Sequence, residues 1–538
     1  MEYYRCENFR CAYLAEGEEP DVCPHCGGTF FLPLGEEDLS GADWLLLSAR
    51  ANERGDGEAA LVNLERAAEL DFPLALYRMG DCFLRGLFGL PRDAERAAAY
   101  FSRVEESGDP SACCLLAQLY QQGERLEKDA ERAVALYRTA AEAEYPPALC
   151  ALGLCYELGE GVEQSWEEAV RLYRDSAELG YARAQCNLGW CYENGKGVAQ
   201  SDAQAAHWYA MAAEQELPRA LCALGLCYEN GKGVTQSWDR AVKLYRAAAD
   251  RGYPPALCAL GLCCEFGRGM GQNWRQAAIW YLKAAERGYA HAQCNLGWFY
   301  ETGRGVAQNW ERAAHWYSMA AEQEDPRALC CLGLCYETGQ GVPQNWDRAV
   351  KLYRAAAERG EARAQCNLGW CFQYGKGVEQ NWDAAAEWYR KAAELDYPRA
   401  QCNFAWCLQY GKGVTQDLDG AIRWYTAAAE RGYARAQYNL AWCCEEGEGV
   451  ERNDRAAAEW YRRAAEQGHV QALSKMGEFF EYGRGGVSAD LTRAKDYYRR
   501  AAERGSESAK KALERLNASA SAPSGGKSGG GFFKKLFG

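Results

Sequence analysis

No run of about 18 apolar residues occurs anywhere in these 538 residues, so no segment has the length and apolarity of a membrane-spanning helix. The first residues, MEYYRCENFR, lack the apolar stretch of a secretory leader. Positive charge is short as well: 61 Lys and Arg stand against 75 Asp and Glu, a net charge of −14. That balance excludes the broad basic surface that sequence-independent nucleic-acid binding requires. Histidine is scarce, five in all, and His207 and His315 lie alone among alanines and aromatics with no partner for a nucleophile or metal site. Paired carboxylates, a catalytic triad and a metal-bearing helix are all missing, so catalysis is not expected. Strand-like alternation is absent from the long central region. These absences lead to the expectation of a soluble cytoplasmic protein that is not an enzyme and does not bind nucleic acid.

What is present is a repeat of 36 residues. The turn Gly-x-Gly recurs at Gly159/Gly161, Gly195/Gly197, Gly231/Gly233, Gly267/Gly269, Gly303/Gly305, Gly339/Gly341, Gly375/Gly377, Gly411/Gly413, Gly447/Gly449 and Gly483/Gly485. A motif held in register this long means one supersecondary unit stacked on itself, and a stack of that kind offers a long surface rather than a single core pocket. The turns follow helices and lack the spacing of a phosphate loop.

In the unit Ala182–Leu217, Ala184, Leu188, Gly189, Cys191 and Tyr192 recur at helical spacing and predict a first (A) helix ending at Gly195. Glycine there takes the left-handed conformation of a C-cap. Ser201 or Asp202 is expected to cap a second (B) helix that buries Ala205, Trp208, Tyr209 and Ala212. Proline opens many A helices, as at Pro218, Pro326 and Pro398. A degenerate unit fits Asp38–Pro73, making about thirteen repeats over 38–505. Residues 506–517 read as a polar capping helix. A longer echo, His207-Trp208-Tyr209 returning as His315-Trp316-Tyr317 after 108 residues, points to duplication in blocks of three units.

Of 26 cysteines, 22 fall on A helices in recurring columns, and the B helices carry none. Cys150 and Cys155 are five residues apart, about 140° around a helix, so they do not grip a metal from one face. They read as small buried hydrophobes. The remaining four, Cys6, Cys11, Cys23 and Cys26, form two close pairs around Cys23-Pro-His-Cys26-Gly. Four thiolates so spaced complete a tetrahedral shell for one structural zinc ion.

Three elements carry a family resemblance: Ala-x-Ala-Gln-x-Asn-Leu-Gly (Ala182–Gly189), Gly-x-Gly-Val (Gly195–Val198) and Trp-Tyr-x-x-Ala-Ala (Trp208–Ala213). The unit resembles the Sel1-like repeat, a relative of the tetratricopeptide repeat. The resemblance implies an all-α fold, a right-handed αα-solenoid, working as a prokaryotic adaptor or scaffold. Residues 1–34 resemble a short, β-type zinc ribbon. The secreted, cysteine-rich branch of the family has disulfides linking neighbouring helices, and Ala212-Ala213-Glu214 at the end of the B helix supplies no cysteine for one. That departure argues against a periplasmic or β-lactamase-like role.

Positions 2, 6, 9 and 13 of the unit share one face of the A helix. They read Arg183/Asn187/Trp190, Arg363/Asn367/Trp370, Arg399/Asn403/Trp406 and Arg435/Asn439/Trp442, with Asn295 and Trp298 in a further unit headed by His291. In related solenoids this face lines the concave groove. Here Asn is expected to hold a peptide backbone, Arg a carboxylate and Trp an apolar anchor, with residues 362–446 as the active stretch. For Trp, packing between neighbouring helices is an equal alternative.

Beyond the helices, 518–531 is a Ser/Gly/Ala/Pro linker. Residues 532–538 carry Phe532, Phe533, Lys534, Lys535, Leu536 and Phe537, a docking motif for a partner's groove or an anionic membrane. Two functions follow as expectations. One is a non-enzymatic adaptor that binds a protein partner along the solenoid. The other is a regulatory protein recruited to membrane or envelope by its tail, with the solenoid as spacer.

Overall fold

A computed structural model describes residues 3–6, 14–16 and 31–521. The chain divides into two compact units, Met1–Gln272 and Asn273–Gly538. Each is a stack of antiparallel helical pairs.

The first unit begins with a three-stranded antiparallel sheet in the order β2-β1-β3: β1 (Tyr3–Cys6), β2 (Leu14–Glu16) and β3 (Phe31–Leu34). Tyr3 on β1 is buried against Trp44 at 6.0 Å between rings. Arg5 of the same strand pairs with Asp43. The sheet is thereby fixed to the first helical pair, Gly41–Glu53 and Gly57–Glu69, which has no Gly-x-Gly turn. The next pair is Pro73–Arg85 and Ala94–Ser107. From Pro110 onward every A helix of this unit has 13 residues, ending with Pro254–Phe266. The second unit begins at the B helix Trp274–Ala285 and continues through the pair Val470–Tyr482 and Leu491–Glu503 to a last helix, Glu507–Ser521. That helix runs past Asn517 because Ala518, Ser519, Ala520 and Ser521 carry no glycine or proline to stop it.

The two turn glycines act differently. Gly195 caps its helix at φ 64°, and its amide donates to the Cys191 carbonyl. A Cβ on Gly197 would collide with the carbonyl oxygen of Trp166 in the preceding B helix, so this glycine permits a close approach between repeats. Ser201, rather than Asp202, caps the following B helix through the Gln204 amide. On that helix Ala205, Ala206, Tyr209, Ala212 and Ala213 are buried, whereas Trp208 is only half-buried.

The centre of each repeat is a tyrosine under a glycine. A Cβ on Gly189 would lie 2.8 Å from the Tyr209 ring. The Tyr209 hydroxyl donates to Glu193 Oε2 at 2.7 Å, and Tyr173, Tyr245, Tyr317 and Tyr353 do the same in their repeats. Each such ring removes an apolar surface worth about 2 kcal/mol from water while its hydroxyl stays bonded. The 22 described cysteines carry no disulfide. All but Cys331 are buried, and burial pushes thiols such as Cys191, Cys222 and Cys402 up to about 12.

Candidate protein-binding face

The stripe of residues singled out on the A helices is built by the helix period and the 36-residue register together. Position 2 lies in the first turn. Arg327, Arg363 and Arg435 are exposed there, and Arg399 is half-buried. None of the four has an ion-pair partner among the described residues. In the first unit Arg183 and Arg219 hold the same position, and Arg219 Nη1 donates to Asn187 Oδ1 at 3.3 Å.

The asparagines are engaged within the stack. Asn187 Nδ2 donates to Cys150 Sγ at 3.8 Å, Asn403 to Cys366 at 3.8 Å and Asn439 to Cys402 at 3.6 Å. Each bond joins one A helix to the A helix before it. Asn367 is buried. The expected grip on a peptide backbone therefore falls to whatever amide capacity remains after this contact.

The tryptophans are packed and half-buried. Trp190 lies 5.9 Å from Trp166, Trp298 6.4 Å from Trp274, Trp370 5.9 Å from Trp346 and Trp406 5.7 Å from Trp382. The second ring of each pair opens the preceding B helix. A turn cation lies over several of these pairs, as with Arg304 at 4.7 Å from Trp274 and 4.6 Å from Trp298. Trp442 follows a helix that opens with Leu418 instead. The B-helix tryptophans were not singled out from the sequence, although the recurring Ser-Trp and Asn-Trp at the B-helix start marks them. On the outer side Tyr374 and Tyr410 are exposed, each 5.0 Å from its tryptophan.

One repeat departs from the pattern. Cys331 takes the asparagine position and shares a hydrogen bond with Cys294 of the preceding A helix. That bond, helped by Arg363 and Arg327, draws the Cys331 thiol below its ordinary range. The same bond, with burial, holds Cys294 above it.

Cys11, Cys23, Cys26 and the side chain of Cys6 lie outside the described residues, as does the tail motif Phe532–Phe537. Among the described residues no helix is long and apolar enough to cross a membrane.

The Sel1 repeat family pattern matches twelve consecutive segments, from 73–109 to 470–506. Among solved structures, a protective antigen of uropathogenic Escherichia coli strains displaying an SLR fold is 31% identical. It covers 80% of this chain and 98% of its own, with a TM-score of 0.56. A Sel1 repeat protein from Oxalobacter formigenes is 34% identical over 57% of this chain and 89% of its own, with a TM-score of 0.42. No curated relative matches.

Proposed function

Because the chain belongs to the Sel1 repeat family, we propose that it is a non-enzymatic adaptor that holds an extended, acidic segment of a protein partner along its A-helix faces. The observation that carries this reading is the row Arg327, Arg363, Arg399 and Arg435, one per repeat, without acidic partners among the described residues of a chain whose net charge is −14. Unpaired guanidinium groups at a regular interval suit carboxylates spaced along a peptide. Asn367, Asn403 and Asn439 set the spacing between helices, while Trp370, Trp406 and Trp442 supply apolar area beside the arginines. The 22 described thiols without disulfides fit a reducing, cytoplasmic setting.

The test is affinity capture with wild type and with Arg363, Arg399 and Arg435 all changed to Gln. These side chains are exposed or half-buried, so the variant keeps its helices. The expected result is a partner retained at low salt, released as salt rises, and lost by the variant. Equal retention by both proteins, at every salt concentration, would remove this face from the reading.

In the same reading Cys6, Cys11, Cys23 and Cys26 hold one structural zinc ion, which replaces the core that so short a segment lacks. Elemental analysis is expected to give one zinc per chain, lost on Cys23→Ser; metal-free protein would end that assignment. The tail Phe532–Phe537 adds a tethered second contact, its effect set by the length of the linker before it.

A further inference from the structure

In the first unit, the A-helix faces of successive repeats enclose a cavity of about 390 Å³, within the range of small-ligand pockets. Its charge is one-sided. Arg183 and Arg219 both line it, and no Asp or Glu is among its thirteen lining residues. Neither arginine has an ion-pair partner among the described residues, and Arg219 is held toward the cavity through Asn187 Oδ1 at 3.3 Å. The helices that contribute are also open at their positive ends. Tyr145, Tyr181 and Leu217 precede the helices Pro146–Leu158, Ala182–Asn194 and Pro218–Asn230, and none gives a side-chain hydrogen bond to the first turn. First-turn amides and the helix dipole therefore add to the two guanidinium charges.

The rest of the wall is apolar or neutral. Leu154, Leu217 and Ala151 face the cavity, and its thiols stay protonated, Cys150 pushed up to about 12 and Cys186 to about 11 by burial. Gln118 brings an amide. Positive charge at one side and aliphatic wall at the other is complementary to a carboxylate borne on an aliphatic residue.

We infer that this cavity is a binding site for the free C-terminus of a partner polypeptide that ends in an aliphatic residue. The main-chain carboxylate sits between Arg183 and Arg219, and the last side chain lies against Leu154 and Leu217. The inference rests on the reading that A-helix faces bind peptide. It concerns only the first unit, so it can fail while the arginine row of the second unit still binds, and the reverse.

The test uses the full chain and three probes followed by ligand-observed NMR: N-acetyl-leucyl-leucine, its C-terminal amide, and succinate. The acid is expected to bind about ten-fold more tightly than the amide, as a charge-assisted pair predicts. Arg183→Gln and Arg219→Gln are each expected to weaken the acid by about ten-fold and leave the amide unchanged. Arg171→Gln, which breaks ion pairs to Glu168 and Asp175 away from the cavity, is expected to change neither. Equal binding of acid and amide, or no saturable binding of the acid, overturns the site. Succinate binding as tightly as the dipeptide overturns the peptide assignment in favour of a free carboxylic acid. The comparison of acid with amide needs no variant, so a misfolded substitution leaves the test intact.

Discussion

Cys331 stands where Asn187, Asn403 and Asn439 bind the thiol of the preceding A helix. It is the one described cysteine that is not buried. Its hydrogen bond to Cys294 comes first among the causes that lower its thiol, with Arg363 and Arg327 acting in the same direction. A thiol lowered in this way carries more thiolate at neutral pH, and thiolate is the nucleophile. Limited alkylation at pH 7 is therefore expected to label Cys331 at least about ten-fold faster than Cys371 or Cys402, which burial pushes up to about 12. The advantage should shrink as pH rises through the ordinary thiol range, since accessible thiols then ionise anyway. Cys331→Asn recreates the Asn–Cys contact of neighbouring repeats, so it should abolish the fast phase without loss of helicity. Peptide mapping by mass spectrometry decides it, and uniform labelling of all described cysteines would discredit the argument.

Between elements, the corner from a B helix to the next A helix is closed by buried glutamine. Gln185 Nε2 donates to the Ala177 carbonyl at 3.1 Å, satisfying one of the last carbonyls of the B helix. Its own oxygen accepts from Gln215 at 2.9 Å, and the pairs Gln293/Gln323 and Gln437/Gln467 repeat this at 2.9 Å. The donors Gln215, Gln323 and Gln467 are the residues that end their B helices. At the equivalent place in another repeat stands Leu395, 52% exposed, and Gln365 Oε1 is left buried without a partner. Leu395→Gln supplies the missing donor and removes an exposed apolar side chain. It is expected to stabilise the local structure by about 1 kcal/mol. Hydrogen exchange of amides in Ala362–Tyr374 reads that gain directly. Unchanged or faster exchange there would show that the corner does not need the bond.

At the scale of the whole molecule, the period was legible because glycine at a left-handed cap and at a close approach leaves few substitutes, as at Gly195 and Gly197. Helix placement followed from that period. The role of Trp370 was not legible, because its partner Trp346 belongs to the helix before it and the contact exists only after stacking. Gln365 looked like surface in the sequence, since nothing local reveals that a neighbouring helix will cover it. Contacts across repeat boundaries also carry charge. Residue 12 of one A helix meets the middle residue of the next Gly-x-Gly turn: Gln409 donates to Glu448 at 3.1 Å, and one repeat later Arg484 pairs with buried Glu445 at 3.1 Å. In sequence the same complementarity recurs as Glu157 with Lys196, Glu193 with Lys232 and Glu337 with Lys376.

These boundaries should be transferable, because each repeat interacts mainly with its neighbours. Arg484→Glu sets a carboxylate against Glu445, whose side chain is 4% exposed, and against Asp454, which Arg484 also binds at 3.1 Å. Breaking a buried pair in this way costs about 3 kcal/mol. Adding Glu445→Gln and Asp454→Leu copies the preceding boundary, where Gln409, Leu418 and Glu448 hold the same places, and should recover most of that loss. Because a repeat array need not unfold in one step, the measurement is hydrogen exchange in Ala434–Glu446 and Val470–Tyr482 rather than a single midpoint. Faster exchange in Arg484→Glu, reversed by the two added changes, would mean that boundary charges set which repeats stack well on one another. Failure of the combined variant to recover would mean that Arg484 acts through contacts peculiar to its own repeat.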